Sequence, residues 1–349
     1  MKLSEFKFKI PKNLISEYPA DPRSSAKMMV LDKKTGELED KKVSDLLDLM
    51  KRGDCIVLNE TKVFPAKFQG YKEKTNAEIE VMLLRELNKE DKIWDVLVEP
   101  ARKVRIGNKI YFDDGKFYCE VIDNTTNRGR TVRFSYNGDL FNEIERIGKM
   151  PLPDYISRPA EPEDKERYQS VYSSDKFIAS IAPPSAGLFL TQEMLDALQE
   201  KGVRIAKVVM NIGLGIFEEV EVEDITKHRM YSEYFEITRE NAEIINKSLK
   251  AKKNVYAIGT SVVRALENSV LTTGTVKPNK GWTDKYIYPN YEFKIATAML
   301  TTFHPSATPS ILCSCAFCNN DIALLMKIYK RAIKNEYNFH VFGDAFLMK

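Results

Sequence analysis

The 349-residue chain has no apolar run that approaches the length of a bilayer span, so no membrane segment is expected. Its opening, "MKLSEFKFKIPKN", alternates charged and apolar residues and lacks the apolar stretch of a secretory signal. Cysteine is scarce. Five in this length supply no disulfide framework, and a reduced, cytoplasmic protein is expected. Histidine is scarcer still. A three-histidine metal site would need His228, His304 and His340 all to converge, and nothing in the sequence suggests it, so no metal is expected. Neither sign of charge dominates: 53 Lys and Arg against 50 Asp and Glu leave +3, which permits an RNA partner without demanding one. Internal repeats and low-complexity tracts are absent. "NIGLGIF", residues 211–217, lacks the third glycine and the immediate helix of a dinucleotide fingerprint. The glycine-rich strand-loop-helix with a following ribose-binding acid, usual in methyltransferases, is not clear either.

What is present divides by texture. From about Phe68 to Tyr136, polar and apolar residues alternate in "AEIEVMLLREL", "KIWDVLVEP", "NKIYFDDGKFYCEVIDNT" and "RGRTVRFSYNG", with turn signals between them. This spacing predicts a small antiparallel β-barrel or sandwich. A Pro-rich stretch, "GKMPLPDYISRPAEPED", reads as a return linker. After Tyr168 the pattern is α/β. "TQEMLDALQEKG" predicts a helix capped by Thr191, "VRIAKVVMNIGLG" a buried strand, "TRENAEIINKSLKAKK" a helix capped by Thr238, and "NDIALLMKIYKRAIKNEY" an amphipathic helix. In the N-terminal piece, "SDLLDLMKRGD" predicts a short helix capped by Ser44 and closed by Gly53. The expected architecture is a large α/β body with a largely parallel sheet, residues 1–67 plus 150–349, and a small antiparallel β-barrel inserted as residues 68–149.

Several segments can carry chemistry. "NVYAIGTSVVRALE" puts Gly259, Thr260 and Ser261 between a strand and a helix, where backbone N–H groups and the helix dipole favour an anion. Arg264 and Glu267 follow three apart on one helix face, spaced for an ion pair. Gly213 and Gly215 end a buried strand and allow close approach of a ligand or a second backbone. "IAPPSAGLFLT", containing Ser185 and Gly187, is a loop able to line a pocket. Histidine suits proton transfer near neutral pH. Arg102, Lys103, Arg105, Lys109, Arg128, Arg130 and Arg133 form two basic stretches on the β module, suited to RNA or to a solvated surface. In "TTFHPSATPSILCSCAFCNN", Cys313, Cys315 and Cys318 do not have the spacing of a paired zinc knuckle and read as small buried hydrophobes.

Taken in order, "GDCIVLNETKVFPAKF", "WDVLVEPARKVRIGN", "PLPDYI", "RYQSVY", "NIGLGIF", "KHRMYSE", "AIGTSVVRALE", "YIYPNYEFK" and "FGDAFLM" resemble the S-adenosylmethionine:tRNA ribosyltransferase-isomerase family of queuosine biosynthesis, from end to end. The resemblance implies an α/β body with an inserted β-barrel, and S-adenosylmethionine as co-substrate with no other cofactor. It also implies a tRNA partner carrying 7-aminomethyl-7-deazaguanine. On that expectation, His304 or His228 moves a proton, with Glu267 in the same catalytic group. Gly259, Thr260 and Ser261 hold the methionine carboxylate or a phosphate, and Arg264 contacts an anion or pairs with Glu267. Tyr168 and Gln169 meet adenine or the modified base, while Arg102, Lys103, Arg105, Arg128 and Arg130 meet RNA. A monomer is expected. The chain departs from the family's usual pattern where Phe189, Asn211, Ile216 and Tyr231 replace His, His, Thr and His. It departs again at Glu60, Lys62 and Lys67, and in the loop from Pro305 to Pro309. These departures leave a second reading open: a paralogue that binds RNA or a related modified nucleoside without the catalysis.

Overall fold

The computed structural model describes residues 1–113, 115–125, 128–213, 215 and 219–349. In the N-terminal piece, β1 (Lys27–Leu31) and β2 (Leu38–Lys42) form a hairpin. A 3-10 turn, Val43–Asp45, leads into the single-turn α1 (Leu46–Leu49). The helix predicted here is therefore shorter than its apolar residues suggest. Ser44 lies inside the turn rather than capping it, and the Asp45 carboxylate accepts the Lys42 N–H at 2.9 Å. Then β3 (Cys55–Asn59), fully buried, and the short β4 (Lys62–Val63) follow.

The alternating region closes into a six-stranded barrel: β5 (Lys67–Lys72), β6 (Glu78–Asn88), β7 (Ile93–Glu99), β8 (Lys109–Tyr111), β9 (Tyr118–Asn124) and β10 (Gly129–Ser135), in the order β10-β7-β6-β5-β8-β9. Every pairing in it is antiparallel. Period-two alternation lines the interior with Phe68, Val81, Val96, Ile110, Val121 and Val132. The next helix, α2 (Leu140–Ile147), adds Leu140 and Ile144 to that core. Lys67 and Lys149 then exchange backbone hydrogen bonds at 3.1 and 2.8 Å where the chain enters and leaves the barrel.

The rest of the body is α3 (Asp164–Arg167), β11 (Ile178–Ser180), α4 (Gln192–Glu200), β12 (Arg204–Met210), β13 (Glu233–Ile237), α5 (Arg239–Lys250), β14 (Val255–Ile258), α6 (Thr260–Asn268), β15 (Asn279–Thr283), β16 (Ala298–Thr302), α7 (Pro309–Phe317), α8 (Ile322–Lys334) and β17 (Ala345–Met348). Thr191 and Thr238 cap α4 and α5 as expected, accepting from Met194 N and Asn241 N. The sheet has nine strands in the order β15-β13-β12-β3-β14-β16-β17-β1-β2. Its centre, β12-β3-β14-β16, is parallel. The flanks are mixed: β13, β15, β17 and β2 bring antiparallel pairings, so the sheet is less parallel than the strand-helix alternation predicts. Helices α5, α6 and α8 bury one face through Ile245, Val263 and Ile328. On the other face, α1 and α4 pack through Leu46 and Leu195.

Strand order positions the site. From β3 the chain reaches β12 on one side, then crosses to β14 and β16 on the other. This is a topological switch point, and ligands of open α/β sheets bind outside the carboxyl ends of the strands there. The barrel leaves from the carboxyl end of β3, which sets it over that same edge.

Candidate active site

Four strand ends meet at the switch point, and a buried amide ties three of them. Asn59, the last residue of β3, donates through Nδ2 to Met210 O (2.8 Å) and Ser261 Oγ (3.3 Å), and its Oδ1 accepts from Met210 N (3.0 Å). Beyond β14, Gly259 adopts φ +96°, a left-handed value that favours glycine, and turns the chain straight into α6. Having no side chain, it leaves the start of α6 without a side-chain cap.

A cleft of about 390 Å³ opens here, within the roughly 300–1,000 Å³ of small-molecule sites. Its floor is Gly259, Thr260 and Ser261 with Thr301, Thr302 and His304 at the end of β16. One side is the loop Ala182–Ser185, whose Ser185 Oγ lies 3.3 Å from Thr302 Oγ1. Asp154 and Tyr155, in the Pro-rich segment read as a linker, form another wall. The barrel closes the mouth with Lys67, Glu80, Glu99 and Arg128, paired as Lys67–Glu80 (3.5 Å) and Arg128–Glu99 (3.7 Å).

Two imidazoles face the cleft. His304 Nε2 is 2.8 Å from Thr301 Oγ1, and the His304 N–H donates to Tyr329 Oη at 3.0 Å. Burial, helped by the neighbouring His340, pulls its pKa down to about 3. His340 sits in the left-handed region at φ +72°, its ring centroid 4.3 Å from that of Tyr155. Burial lowers its pKa to about 4, and its Nδ1 has no hydrogen-bond partner among the described residues. Both rings are neutral near pH 7, with lone pairs able to take a proton. His340 belongs to this site although sequence reasoning did not select it. The available signal was its position beside "FGDAFLM", whose strand β17 pairs with β16.

Other selected residues divide clearly. Tyr168 lines the cleft, fully buried, edge-on to Phe342, with its hydroxyl unpartnered among the described residues. Gln169 does not reach the cleft: its amide clamps Val63, donating to Val63 O at 2.5 Å and accepting from Val63 N at 3.1 Å. Gly187 is a packing glycine, since a Cβ there would stand 1.9 Å from Tyr172 Oη. The Gly213 N–H donates to Glu233 Oε1 at 2.8 Å, and Gly215 lines a smaller chamber behind the cleft. His228 lies away from both cavities, edge-on to Tyr286 at 5.1 Å. Glu267 is an anchor rather than a cleft group. Its carboxylate accepts the N–H groups of Lys294, Ile295 and Ala296 at 2.9–3.1 Å and fixes the approach to β16. The expected Arg264–Glu267 pair does not form: Arg264 pairs with Glu233 and donates through Nε to Lys285 O. On the barrel, Arg102, Lys103 and Arg105 are exposed. Arg130 instead turns inward, donating to the carbonyls of Ala101, Val104 and Gly129, and is unavailable to RNA.

The departures from the family pattern mostly miss the cleft. Lys67, Pro305 and Thr308 line it. Phe189 lies in the core under α4 with Met194, Asn211 and Tyr231 lie outside the cleft lining, and Ile216 falls outside the described residues. Cys313, Cys315 and Cys318 are buried in or just after α7, their thiols pushed upward by burial. Among the described residues, no group of three or more His, Cys, Asp or Glu is placed to hold a metal.

Residues 3–348 match the family described as "Queuosine biosynthesis protein". The chain belongs to the queuosine biosynthesis protein family. Within that family it is 51% identical to the S-adenosylmethionine:tRNA ribosyltransferase-isomerase of Chloroherpeton thalassium and 49% identical to that of Cytophaga hutchinsonii, over 100% of each chain. The crystal structure of S-adenosylmethionine tRNA ribosyltransferase from Thermotoga maritima covers 99% of this chain and 100% of its own, at TM-score 0.54 and 26% identity. The family fold agrees with the α/β body and inserted barrel expected from sequence.

Proposed function

We propose that the protein transfers and isomerises the ribosyl part of S-adenosylmethionine onto 7-aminomethyl-7-deazaguanine at the tRNA wobble position, giving epoxyqueuosine-tRNA, adenine and methionine. The observation that carries this reading is the end-to-end match to ribosyltransferase-isomerases at about half identity. The non-catalytic alternative is not favoured, and the departures that motivated it fall largely outside the cleft.

The chemistry asks for a base that removes a proton beside the sulfonium, assistance to departing adenine, and an unprotonated amine as nucleophile. His304 is the proposed proton acceptor: it is neutral, buried and held by Thr301 against the cleft floor. His340 and Tyr168 offer polar atoms that are unpartnered among the described residues to a heterocyclic base at the same wall. The barrel rim, with Arg128 at the cleft and Arg102, Lys103 and Arg105 beyond it, is the proposed seat of the tRNA backbone. A tRNA substrate supports a cytoplasmic location. No single helix among the described residues is long and apolar enough to cross a membrane.

The test is mass spectrometry of nucleosides from deazaguanine-bearing tRNA after incubation with pure protein and S-adenosylmethionine. Conversion to the epoxyqueuosine nucleoside, matched by equal adenine and methionine, is the expected result. Unchanged deazaguanine nucleoside beside an active control enzyme overturns the proposal.

A further inference from the structure

Behind the cleft floor lies a second chamber of about 30 Å³. It shares Ile212, Thr260, Ser261 and Ser310 with the cleft, so a ligand in the larger space can extend past these residues into the smaller one. A buried water needs about 10–15 Å³, so the chamber accepts two oxygen-sized groups.

Its electrostatics favour an anion. Two nine-residue helices, α6 and α7, begin at its edge. Neither has a side-chain cap: Gly259 has no side chain, and the Thr308 hydroxyl donates instead to Pro305 O at 3.0 Å. Both helix starts therefore present their positive ends without a neutralising oxygen. Thr260 Oγ1 and Ser310 Oγ, one from each helix, lie 3.5 Å apart.

Two buried donors add to this. Arg264 Nη2 and Tyr286 Oη both belong to residues lining the chamber, and neither has a hydrogen-bond partner among the described residues. The one carboxylate in the lining among the described residues, Glu233, is already engaged through both oxygens. Oε1 accepts the Gly213 N–H and Oε2 pairs with Arg264 Nη1. Glu233 thus orients the guanidinium and occupies one branch, leaving the other for a second acceptor. Lys285 also lines the chamber, its ammonium 4.8 Å from the Tyr291 ring centroid. The Cys313 thiol there is pushed up to about 12 and stays neutral.

We propose that this chamber is a carboxylate site, reading the α-carboxylate at the amino-acid end of the sulfonium substrate through Arg264 Nη2, Tyr286 Oη and the starts of α6 and α7. This rests on the proposed function, which supplies a substrate with that carboxylate. Two oxygen-sized places suit a carboxylate and are too few for a phosphate. The assignment makes Arg264 and Tyr286 binding residues of the amino-acid end, and it holds the leaving methionine away from the imidazoles.

The test is calorimetric binding of S-adenosylmethionine and of decarboxylated S-adenosylmethionine to the full chain and to Tyr286→Phe, which removes only a hydroxyl. The wild-type chain is expected to bind the decarboxylated compound at least tenfold more weakly. Tyr286→Phe should weaken S-adenosylmethionine binding roughly tenfold while leaving decarboxylated binding unchanged. Equal wild-type affinity for the two compounds, or equal loss for both in Tyr286→Phe, overturns the carboxylate site while turnover of tRNA leaves the functional reading standing. Failure of S-adenosylmethionine itself to bind, with no turnover of tRNA, overturns both.

Discussion

The two walls of the cleft are built on different physical principles. The body wall is dry: His304, Tyr168 and the strand ends are buried, its imidazoles are neutral, and His304 is held by Thr301 at the end of β16. The barrel wall is wet and charged: Lys67–Glu80 and Arg128–Glu99 are loose pairs with partly exposed partners. Burial makes a hydrogen bond or a proton transfer sensitive to sub-ångström placement, whereas exposed charges attract without positioning. The division suggests that chemistry belongs to the body and the grip on the tRNA backbone to the barrel.

The sharpest way to break that division is on the dry wall. His304→Ala should lower turnover by about 10²–10⁴, with S-adenosylmethionine affinity nearly unchanged, as measured by single-turnover adenine release and by calorimetry. Asn59→Ala comes next. It strips three strand ends of a shared buried amide, and denaturant unfolding should register a loss of about 1–3 kcal/mol.

Protonation probes the same wall. Below about pH 6.5 an unfolded histidine takes a proton. In the folded chain, His304 resists until about pH 3 and His340 until about pH 4. The unfolded state therefore binds more protons in this window, so stability is greatest above pH 6.5 and falls as pH drops toward 4. Thermal midpoints should track this, and His340→Gln should flatten the slope. The smallest effect lies on the wet wall. Arg128→Ala should raise KM for tRNA a few-fold, leave kcat in place and reduce the salt slope of tRNA binding by about one.

Legibility followed the distance over which each feature is decided. The barrel was readable because alternation and turn signals are local, and the Gly259 junction because one left-handed turn feeds one helix. The partner of Arg264 was misassigned because helical spacing offers Glu267, while the sheet brings Glu233 from 31 residues earlier. His340 was passed over because only the β16–β17 pairing carries it to His304. Arg130 looked like its exposed neighbours because a strand's two faces differ by one residue, and its face is the inward one. Phe189 raised a doubt about catalysis because the sequence does not show that its side chain lies in the core with Met194 of α4.

Single-turnover adenine release from S-adenosylmethionine on deazaguanine-bearing tRNA, with His304→Ala and Arg128→Ala compared at saturating protein, tests the division of labour directly. The account predicts that His304→Ala loses the chemical step and that Arg128→Ala keeps it. Full-rate release by His304→Ala, or loss of the saturated rate in Arg128→Ala, would contradict it.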